Sequence, residues 1–357
     1  MERGSICSYV APHLAPLRLG FPVKVLGAVG LKSNDARRWQ SNPSLQVSLE
    51  YLDRIFDYLR DNRINMYRMA SDLAPYATHP DLPQFHNQVK DCRNELKAAG
   101  RKAQELGIRL SFHPSQFIVL NSPDEAVREK SIWDLRSQGE ILDRMELDEE
   151  AVMVIHVGGS YGDVQKGIDR WCETWERLPE RVRARLVLEH DDTRFSASDV
   201  LQIHATTGVR LIFDVQHFWC LNPQGLELRP TFEKFIASWP AGVRPKMHFS
   251  SPRTEMREVS RLDRKTGKKK AVLQAPIWTG HAAFNHPFEF ISFMRSMADL
   301  EFDVMLEAKA KDLALLRLRQ DLVKYAPDVA QRFGLCDGTV PTEAPDEMAI
   351  DPEELAV

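Results

Sequence analysis

The feature that most constrains the fold of this chain is an alternation of short apolar runs with amphipathic stretches, repeated about eight times. Apolar runs of about four to eight residues are typical of buried strands, and the stretches between them space their apolar residues as helices do. Alternating strands and helices form a parallel sheet, and eight such units close a TIM barrel. The predicted strands span residues 23–29, 64–69, 108–113, 151–156, 185–189, 210–213, 245–249 and 302–307.

An open, doubly wound sheet is the alternative arrangement of the same elements. Such sheets bind nucleotides at a glycine-rich loop after the first strand, but residues 27–30 do not form that motif. We therefore predict an α/β protein with a single (β/α)8 TIM-barrel domain over residues 21–335 and without a nucleotide cofactor. A flexible leader is predicted for residues 1–20, a basic insertion for 253–270, and an acidic, disordered tail for 336–357.

The composition of the 357 residues excludes several classes of protein. No apolar run is long enough to cross a bilayer, and the first residues lack the pattern of a signal peptide. The five cysteines are scattered without a C-x-x-C pair, which argues against a disulfide framework or a zinc ribbon and fits a reducing cytoplasm. The net charge of −4 does not indicate nucleic-acid binding, so any such surface must be a local basic patch.

Histidines and carboxylates occur at the ends of the predicted strands. A barrel brings the carboxyl ends of its parallel strands to one face, so residues far apart in sequence converge there. Any one of them would fit a core histidine or a capping acid, but burying so many ionisable groups together is costly unless cations compensate them. The residues are His113, His156, Glu189, Asp214, His217, His248 and Glu307.

The chemistry of this set predicts a cluster of divalent metal ions. Its ligand atoms are nitrogen and oxygen without thiolate, which favours manganese, zinc or cobalt over softer metals. Seven candidate ligands exceed the roughly four that one zinc ion uses, so about two or three ions are expected. Such clusters activate water and neutralise the oxygens of a phosphoester during its cleavage. The chain contains no G-x-S-x-G motif that would supply a competing nucleophile.

Three further features extend the predicted site. Lys246 lies on the same side of its strand as His248. Its amine must sit away from the metals, lose its proton or become a carbamate, and a salt bridge inside the barrel is the alternative. Gln116 and Phe117 lie on a loop after the third strand, where they either wedge into a base stack or pack locally. The basic insertion is either a solvated loop or an arm that contacts phosphates.

Seven segments resemble motifs of the UV damage endonuclease family, in the same order and over roughly residues 23–325. They are residues 67–72, 112–123, 156–163, 188–192, 213–217, 245–251 and 306–309. The resemblance implies a TIM barrel similar to endonuclease IV, and an enzyme that nicks double-stranded DNA immediately 5′ of UV photoproducts. It also implies 3′-hydroxyl and 5′-phosphate products, and a cluster of divalent metals that is typically manganese.

The same resemblance implies roles for individual residues in the metal site. The seven strand-end residues match family metal ligands, and His281 and His79 match two further histidines of the metal site. Glu189, Lys246 and His248 are expected to be catalytic. Lys246 matches a lysine that the family can carry in carboxylated form.

Further matches concern DNA and the lesion. Gln116 and Phe117 match the pair that fills the gap beside an extruded lesion. Arg68 and Tyr161 lie in the matching motifs and are expected to contact DNA. The basic insertion is expected to hold the DNA backbone through residues that include Arg261, Arg264, Lys265 and Lys268.

The chain departs from the family pattern at three positions. Phe117 and Ala28 each replace a tyrosine, and His190 replaces an asparagine. The first two departures keep open an endonuclease for abasic sites or broader damage. The residues also leave open a metal-dependent sugar isomerase on the same barrel and a catalytically inactive damage-binding protein. The expected partner is damaged duplex DNA, and the protein is expected to be a cytoplasmic monomer that does not contact membranes.

Overall fold

The computed structural model describes residues 15–263 and 266–335, and its centre is a barrel of eight parallel strands. The barrel strands are β1 (Leu19–Pro22), β2 (Met66–Arg68), β3 (Arg109–Phe112), β4 (Val152–His156), β5 (Leu186–Glu189), β6 (Arg210–Ile212), β7 (Lys246–Phe249) and β12 (Asp303–Leu306). They are hydrogen-bonded in the order β6-β5-β4-β3-β2-β1-β12-β7, and a parallel bridge between Asp214 and His248 links the two ends of this series. The predicted (β/α)8 TIM barrel is therefore confirmed.

Helices follow the strands and cover the outside of the barrel. Their starts are set by side-chain caps, as at Ser44 and Asp163, whose oxygens accept hydrogen bonds from backbone N–H groups of the first turn. None of the helices in the described ranges has both the length and the apolar character that a membrane span needs. The helices are α1 (Leu45–Asp61), α2 (Gln88–Asp91), α3 (Arg93–Glu105), α4 (Glu125–Arg144), α5 (Val164–Arg177), α6 (Glu180–Arg183), α7 (Ala197–Thr207), α8 (Val215–Cys220), α9 (Leu228–Ala237), α10 (Pro287–Ser296), α11 (Lys311–Tyr325) and α12 (Pro327–Arg332).

The first strand differs from the sequence prediction. It is Leu19–Pro22, which pairs with β2 on one side and β12 on the other, so the prediction of a strand at residues 23–29 was wrong. Val23 has a φ of 64°, which breaks the extended conformation directly after β1. The predicted leader of residues 1–20 also extends too far, because its last two residues belong to β1. Residues 1–14 and the predicted tail lie outside the described residues.

A network of buried charges joins strands at the amino-terminal end of the barrel. Asp303 Oδ2 lies 2.8 Å from Arg109 Nη1, and both side chains are buried. Asp303 Oδ1 accepts a hydrogen bond of 2.8 Å from the backbone N–H of Arg18. The carboxylate at the start of β12 thus ties β1 and β3 together, and at this end of a TIM barrel such contacts serve stability.

The basic insertion forms an antiparallel hairpin beside the carboxyl end of the barrel. Two short strands at its base, β8 (Pro252–Arg253) and β11 (Ile277–His281), pair with each other. The hairpin itself consists of β9 (Arg257–Leu262) and β10 (Lys269–Gln274). Alternation along the paired strands places Arg257, Arg261 and Lys270 on one face, so part of the basic charge is presented as a patch.

Candidate metal centre

The carboxyl ends of the barrel strands bring together all seven predicted strand-end residues. They form three overlapping groups, within each of which the candidate ligand atoms lie no more than 4.8 Å apart. The groups share members, so they make one continuous cluster of imidazole and carboxylate groups. The three groups are His113, His156 and Glu189; Glu189, Asp214 and His217; and Asp214, His248 and Glu307.

Glu189, at the end of β5, lies at the centre of the cluster and is fully buried. Its Oε2 lies 3.2 Å from Nε2 of His113 and 3.6 Å from Nε2 of His156. Its Oε1 lies 2.9 Å from Nδ1 of His248 and 3.5 Å from Nδ1 of His217. The two oxygens of one carboxylate therefore face different histidines, which is the arrangement that lets a carboxylate bridge two ions.

Glu307 extends the cluster toward β12. Its Oε1 lies 3.4 Å from Nδ1 of His248 and also pairs with the guanidinium of Arg68. His281, at the end of β11, has its Nδ1 3.8 Å from Oε2 of Glu307 and 2.9 Å from the backbone oxygen of Glu307. The structure thus places His281 at the edge of the cluster. Arg68, which was predicted to contact DNA, is half-buried and paired with Glu307.

The segment after β6 turns into α8, a helix that the sequence interpretation missed. Asp214 is the N-cap of this helix, and its Oδ1 accepts a hydrogen bond of 2.8 Å from the backbone N–H of His217. The cap therefore brings Asp214 and His217, three residues apart, into the cluster together.

His190 is a positioning residue that sequence reasoning noted only as a departure from the family. Its ring is fully buried, and its Nε2 accepts a hydrogen bond of 3.1 Å from the backbone N–H of Asp214. Its backbone oxygen accepts a hydrogen bond of 3.0 Å from Nδ1 of His217, which leaves Nε2 of that imidazole free. Burial, together with the nearby His217, holds the pKa of His190 well below its usual value, consistent with a neutral acceptor ring.

Several buried polar atoms of the cluster lack partners, and this tests whether the residues fit metal ions. Nδ1 of His156, Oδ2 of Asp214 and Nε2 of His248 have no hydrogen-bond partner among the described residues. Buried polar atoms are normally paired, so such atoms at one site indicate a missing partner. The donors are imidazole nitrogens and carboxylate oxygens without thiolate, a set that suits divalent first-row metals. The residues fit a metal cluster.

The pKa shifts in the cluster also favour the binding of cations. Burial lowers the pKa of His113 to about 4, so this imidazole carries a free lone pair near neutral pH. Burial alone would raise the pKa of Glu189, but His248 and His156 hold it well below its usual value. Burial alone would lower the pKa of His217, yet Asp214 and other carboxylates raise it to about 9. The buried carboxylates create a negative field that favours cations.

Lys246 lies beside the cluster but not within the three groups. Its side chain is buried, and its Nζ lies 3.1 Å from Oγ of Ser111. Burial and the nearby Arg68 and Arg109 lower the pKa of Lys246 well below its usual value. Of the options predicted for this amine, loss of its proton is the one that its surroundings favour. Carboxylation of Lys246 stays a prediction.

His79 was predicted as a further metal ligand, and the structure does not bring it into the three groups. Its Nδ1 accepts a hydrogen bond of 3.2 Å from the backbone N–H of Asp81. The ring of His79 lies 6.1 Å from that of Tyr76, measured between centroids. Its metal-binding role stays a prediction.

A cavity of about 500 Å³ adjoins the cluster on the side of β3, β4 and β5. His113, His156 and His217 line it, together with the loop that contains Gln116 and Phe117. Phe117 is 78% exposed, so its ring is accessible to a bound ligand and is not packed into the core.

The remaining DNA-contact predictions lie near this face or on the hairpin. Tyr161 is 52% exposed, and the guanidinium of Arg170 lies over its ring at 5.5 Å from the centroid. Arg261 is exposed on β9, and Lys268 is exposed just before β10. Arg264 and Lys265 lie outside the described residues.

Comparison with known proteins identifies what the chain resembles. The family model described as UV-endonuclease UvdE matches residues 40–333. The UV DNA damage endonuclease of Bacillus velezensis is 30% identical over 270 residues, which are 75% of this chain and 78% of the relative. That of Bacillus mycoides is 31% identical over 292 residues, 81% of this chain and 84% of the relative. The crystal structure of SacUVDE superposes with a TM-score of 0.71 at 28% identity, covering 86% of this chain and 98% of that one.

Proposed function

This chain belongs to the UV-endonuclease UvdE family, and on that premise we propose that it is a DNA-repair endonuclease that acts on UV-damaged duplex DNA. It nicks the backbone immediately 5′ of cyclobutane dimers and 6-4 photoproducts, and leaves a 3′-hydroxyl and a 5′-phosphate. The observation that carries this proposal is one cavity shared by three cluster histidines and the exposed Phe117. The protein acts as a monomer in the cytoplasm and uses no nucleotide cofactor.

The cluster would hold about two or three divalent ions, with manganese as the ion that the family implies and zinc or cobalt as alternatives. Ions at this site would supply activation of water and neutralisation of charge on the attacking and leaving oxygens. Glu189 would bridge them, with His113, His156, Asp214, His217, His248, Glu307 and His281 as the remaining ligands. His190 orients two of these through its ring and its carbonyl, as such outer contacts do in metal sites.

Recognition of the lesion would fall to the loop after β3. Extruding damaged nucleotides from a duplex leaves a gap that must be filled, because the neighbouring bases lose their stacking partners. Phe117 offers an exposed ring for that purpose and Gln116 offers hydrogen bonds. The cavity that these residues line would receive the extruded nucleotides next to the cluster.

The test is strand nicking with Mn²⁺ on three duplexes of the same sequence. One carries a defined cyclobutane dimer, one an abasic site, and one is undamaged. Incision directly 5′ of the dimer, with little on the undamaged duplex, is the expected result. Incision of the abasic duplex alone would move the function to base-loss repair, which the departures at Ala28 and Phe117 favour as the second candidate. Absence of incision on all three would contradict the proposal.

The basic hairpin is expected to contact DNA through its exposed cations. Each Lys or Arg that neutralises a phosphate releases counterions and contributes about 0.9 to the slope of log K against log salt concentration. Replacing Arg261, Lys268, Lys269 and Lys270 with serine should therefore weaken binding to duplex DNA. The magnitude of this negative slope should fall by up to about 3–4. Binding measured by fluorescence anisotropy over a salt series checks it.

A control for the hairpin variant is the replacement of exposed cations on the outer helices. Arg101 on α3 and Lys234 on α9 are exposed and lie on the outside of the barrel. Changing them to glutamine should leave the salt slope unaltered. If the hairpin variant binds with the affinity and the slope of the parent protein, the hairpin has no part in holding DNA.

A further inference from the structure

A second group of cations lies at the carboxyl end of the barrel, and three of its five members lie outside the basic insertion described above. Its members come from the segments that follow three strands adjacent in the barrel, β1, β12 and β7. We call this group the cationic arc. It consists of Lys24, Arg253, Arg257, Lys309 and Lys311.

One half of the cationic arc is held together by Asp312, in the first turn of α11. The buried Asp312 carboxylate accepts hydrogen bonds from the backbone N–H of Leu26 at 2.8 Å and of Gly27 at 2.9 Å. These bonds draw the segment after β1 against the start of α11. Lys24 is thereby placed near Lys311, and it is one of the charges that lower the pKa of Lys311.

The other half is held by backbone contacts between the ends of β12, β11 and β7. The backbone N–H of Lys309 donates a hydrogen bond of 3.0 Å to the oxygen of Ala282, and that of Ala282 donates one of 2.9 Å to the oxygen of Ser251. Arg253 follows closely in β8, which pairs with β11. Lys309 therefore lies near Arg253 and Arg257, both of which are close enough to act on its charge.

The cations of the arc lack anionic partners. None of their five side chains forms a hydrogen bond or an ion pair with another residue in the described parts of the chain. Arg253 is only 8% exposed, and its buried Nε has no partner there. The nearby acids are Glu255, which is exposed, Glu307, which already pairs with Arg68, and Asp312, whose carboxylate already accepts hydrogen bonds from two backbone N–H groups. A buried guanidinium nitrogen without a partner, among other cations, is costly unless an anion binds.

The repulsion among these cations affects the pKa of Lys311. Burial first, and then the charges of Arg68 and Lys24, lower the pKa of Lys311 to about 8 despite the opposing effect of Glu307. Bringing a phosphate to this place would relieve the repulsion, and four of the five cations are already buried or half-buried, so little further desolvation of those four is needed.

We propose that the cationic arc is a binding site for phosphates of the DNA backbone, on the side of the metal cluster opposite the lesion cavity. This rests on the proposed function. In the barrel, β12 stands four strands from β4 in either direction, while the cavity lies at β3, β4 and β5. Because the cluster lies between them, DNA that places its lesion in the cavity and its scissile phosphate at the cluster continues over the arc.

A polyanion fits the arc better than a single anion does. The cations are spread over three successive strand ends rather than converging on one point, and Arg257 continues them into the basic face of the hairpin. Consecutive phosphates of one strand match such a row, and each contact orients the duplex without reading its sequence. The arc would thereby set which way the strand crosses the cluster.

The experiment uses the double variant Lys309→Gln/Lys311→Gln in the full-length, metal-loaded protein. Binding to an undamaged duplex is followed by anisotropy over a salt series, so the result does not depend on any incision. The salt slope should fall by about two, one for each lost phosphate contact. Arg101→Gln/Lys234→Gln, which removes the same charge from the outer helices, should keep the parent slope. An unchanged slope in Lys309→Gln/Lys311→Gln overturns the proposal.

Two further measurements distinguish a backbone site from an indirect effect on the cluster and from a site for free phosphate. Lys24→Gln, remote in sequence from Glu307, should by itself reduce the magnitude of the salt slope by about one. If Lys24→Gln keeps the parent slope while Lys309→Gln/Lys311→Gln loses metal, the double variant acts through the cluster. That result would overturn the proposal. Inorganic phosphate is compared with chloride at equal ionic strength by thermal unfolding. Stabilisation by phosphate that the double variant loses, with its DNA slope unchanged, would assign the arc to a free phosphate instead.

Discussion

Glu189→Gln is expected to lower the rate of incision 5′ of a cyclobutane dimer by more than about 100-fold. Removing a residue that only hydrogen-bonds to a metal ligand lowers metal affinity or activity about 10–100-fold. Glu189 is itself a candidate ligand at the centre of the cluster, so a larger loss is expected. Its two oxygens lie between 2.9 and 3.6 Å from four histidines of the cluster. An amide of the same size keeps the packing but removes the charge and one of the two oxygens, so it cannot bridge ions. Single-turnover nicking with saturating Mn²⁺ measures the effect.

The same variant should also bind less metal, which elemental analysis of the dialysed protein would show. Glu140→Gln is the matched control, because Glu140 is a half-exposed carboxylate on α4 that pairs with Arg144. It should nick at the parent rate and retain the parent metal content. A Glu189→Gln protein that melts like the control and still nicks at the parent rate would remove Glu189 from the catalytic cluster.

The strand-end cluster was predictable because parallel strands in a barrel leave little freedom at their carboxyl ends. His113, His156 and Glu189 follow runs of apolar residues that have only one way to lie in a parallel sheet. Once the barrel is assigned, its topology alone brings these side chains together. No local sequence pattern is needed to predict their contacts. That is why residues separated by 76 positions, His113 and Glu189, could be placed together.

The first strand could not be placed in the same way, because two adjacent segments are both apolar. Leu19–Pro22 is the strand because its residues find partners in β2 and β12, and those partners are distant in sequence. The segment that follows it is instead fixed by Asp312, some 285 residues later. Asp312 reads locally as an ordinary acid in the first turn of a helix, so neither its burial nor its role in the cationic arc is visible before the chain is folded.

His190 and the hairpin were missed for different reasons. His190 acts through a backbone N–H and its own carbonyl, and such contacts leave no pattern in a sequence. The hairpin segments Arg257–Leu262 and Lys269–Gln274 lack the regular alternation of apolar and polar residues that predicts strands, so their charges dominated the interpretation as an arm or loop. The pairing of β9 with β10 matters for function because it decides which cations share a face of the hairpin.

Asp303→Ala is expected to lower the free energy of unfolding by about 3–5 kcal/mol, the usual cost of removing one partner from a buried ion pair. The side chains of Asp303 and Arg109 are both buried, so the guanidinium of Arg109 loses a charged partner that it contacts at 2.8 Å. The backbone N–H of Arg18 loses its acceptor as well. Urea unfolding at neutral pH measures the change, with Asp299→Ala as control. Asp299 forms an exposed pair with Arg229, so its loss should cost less than about 1 kcal/mol.

The position of Asp303 separates stability from catalysis within one molecule. It begins β12, whose other end leads to Glu307, so the same strand carries the structural network at one end and the cluster at the other. Replacing the pair by apolar residues, Arg109→Met with Asp303→Leu, should restore part of the lost stability, because it leaves no unpaired charge. The nicking rate per folded molecule should stay at the parent value in both variants. An Asp303→Ala protein as stable as the Asp299→Ala control would show that the buried network does not hold the barrel together, and that hydrophobic packing alone closes its amino-terminal end.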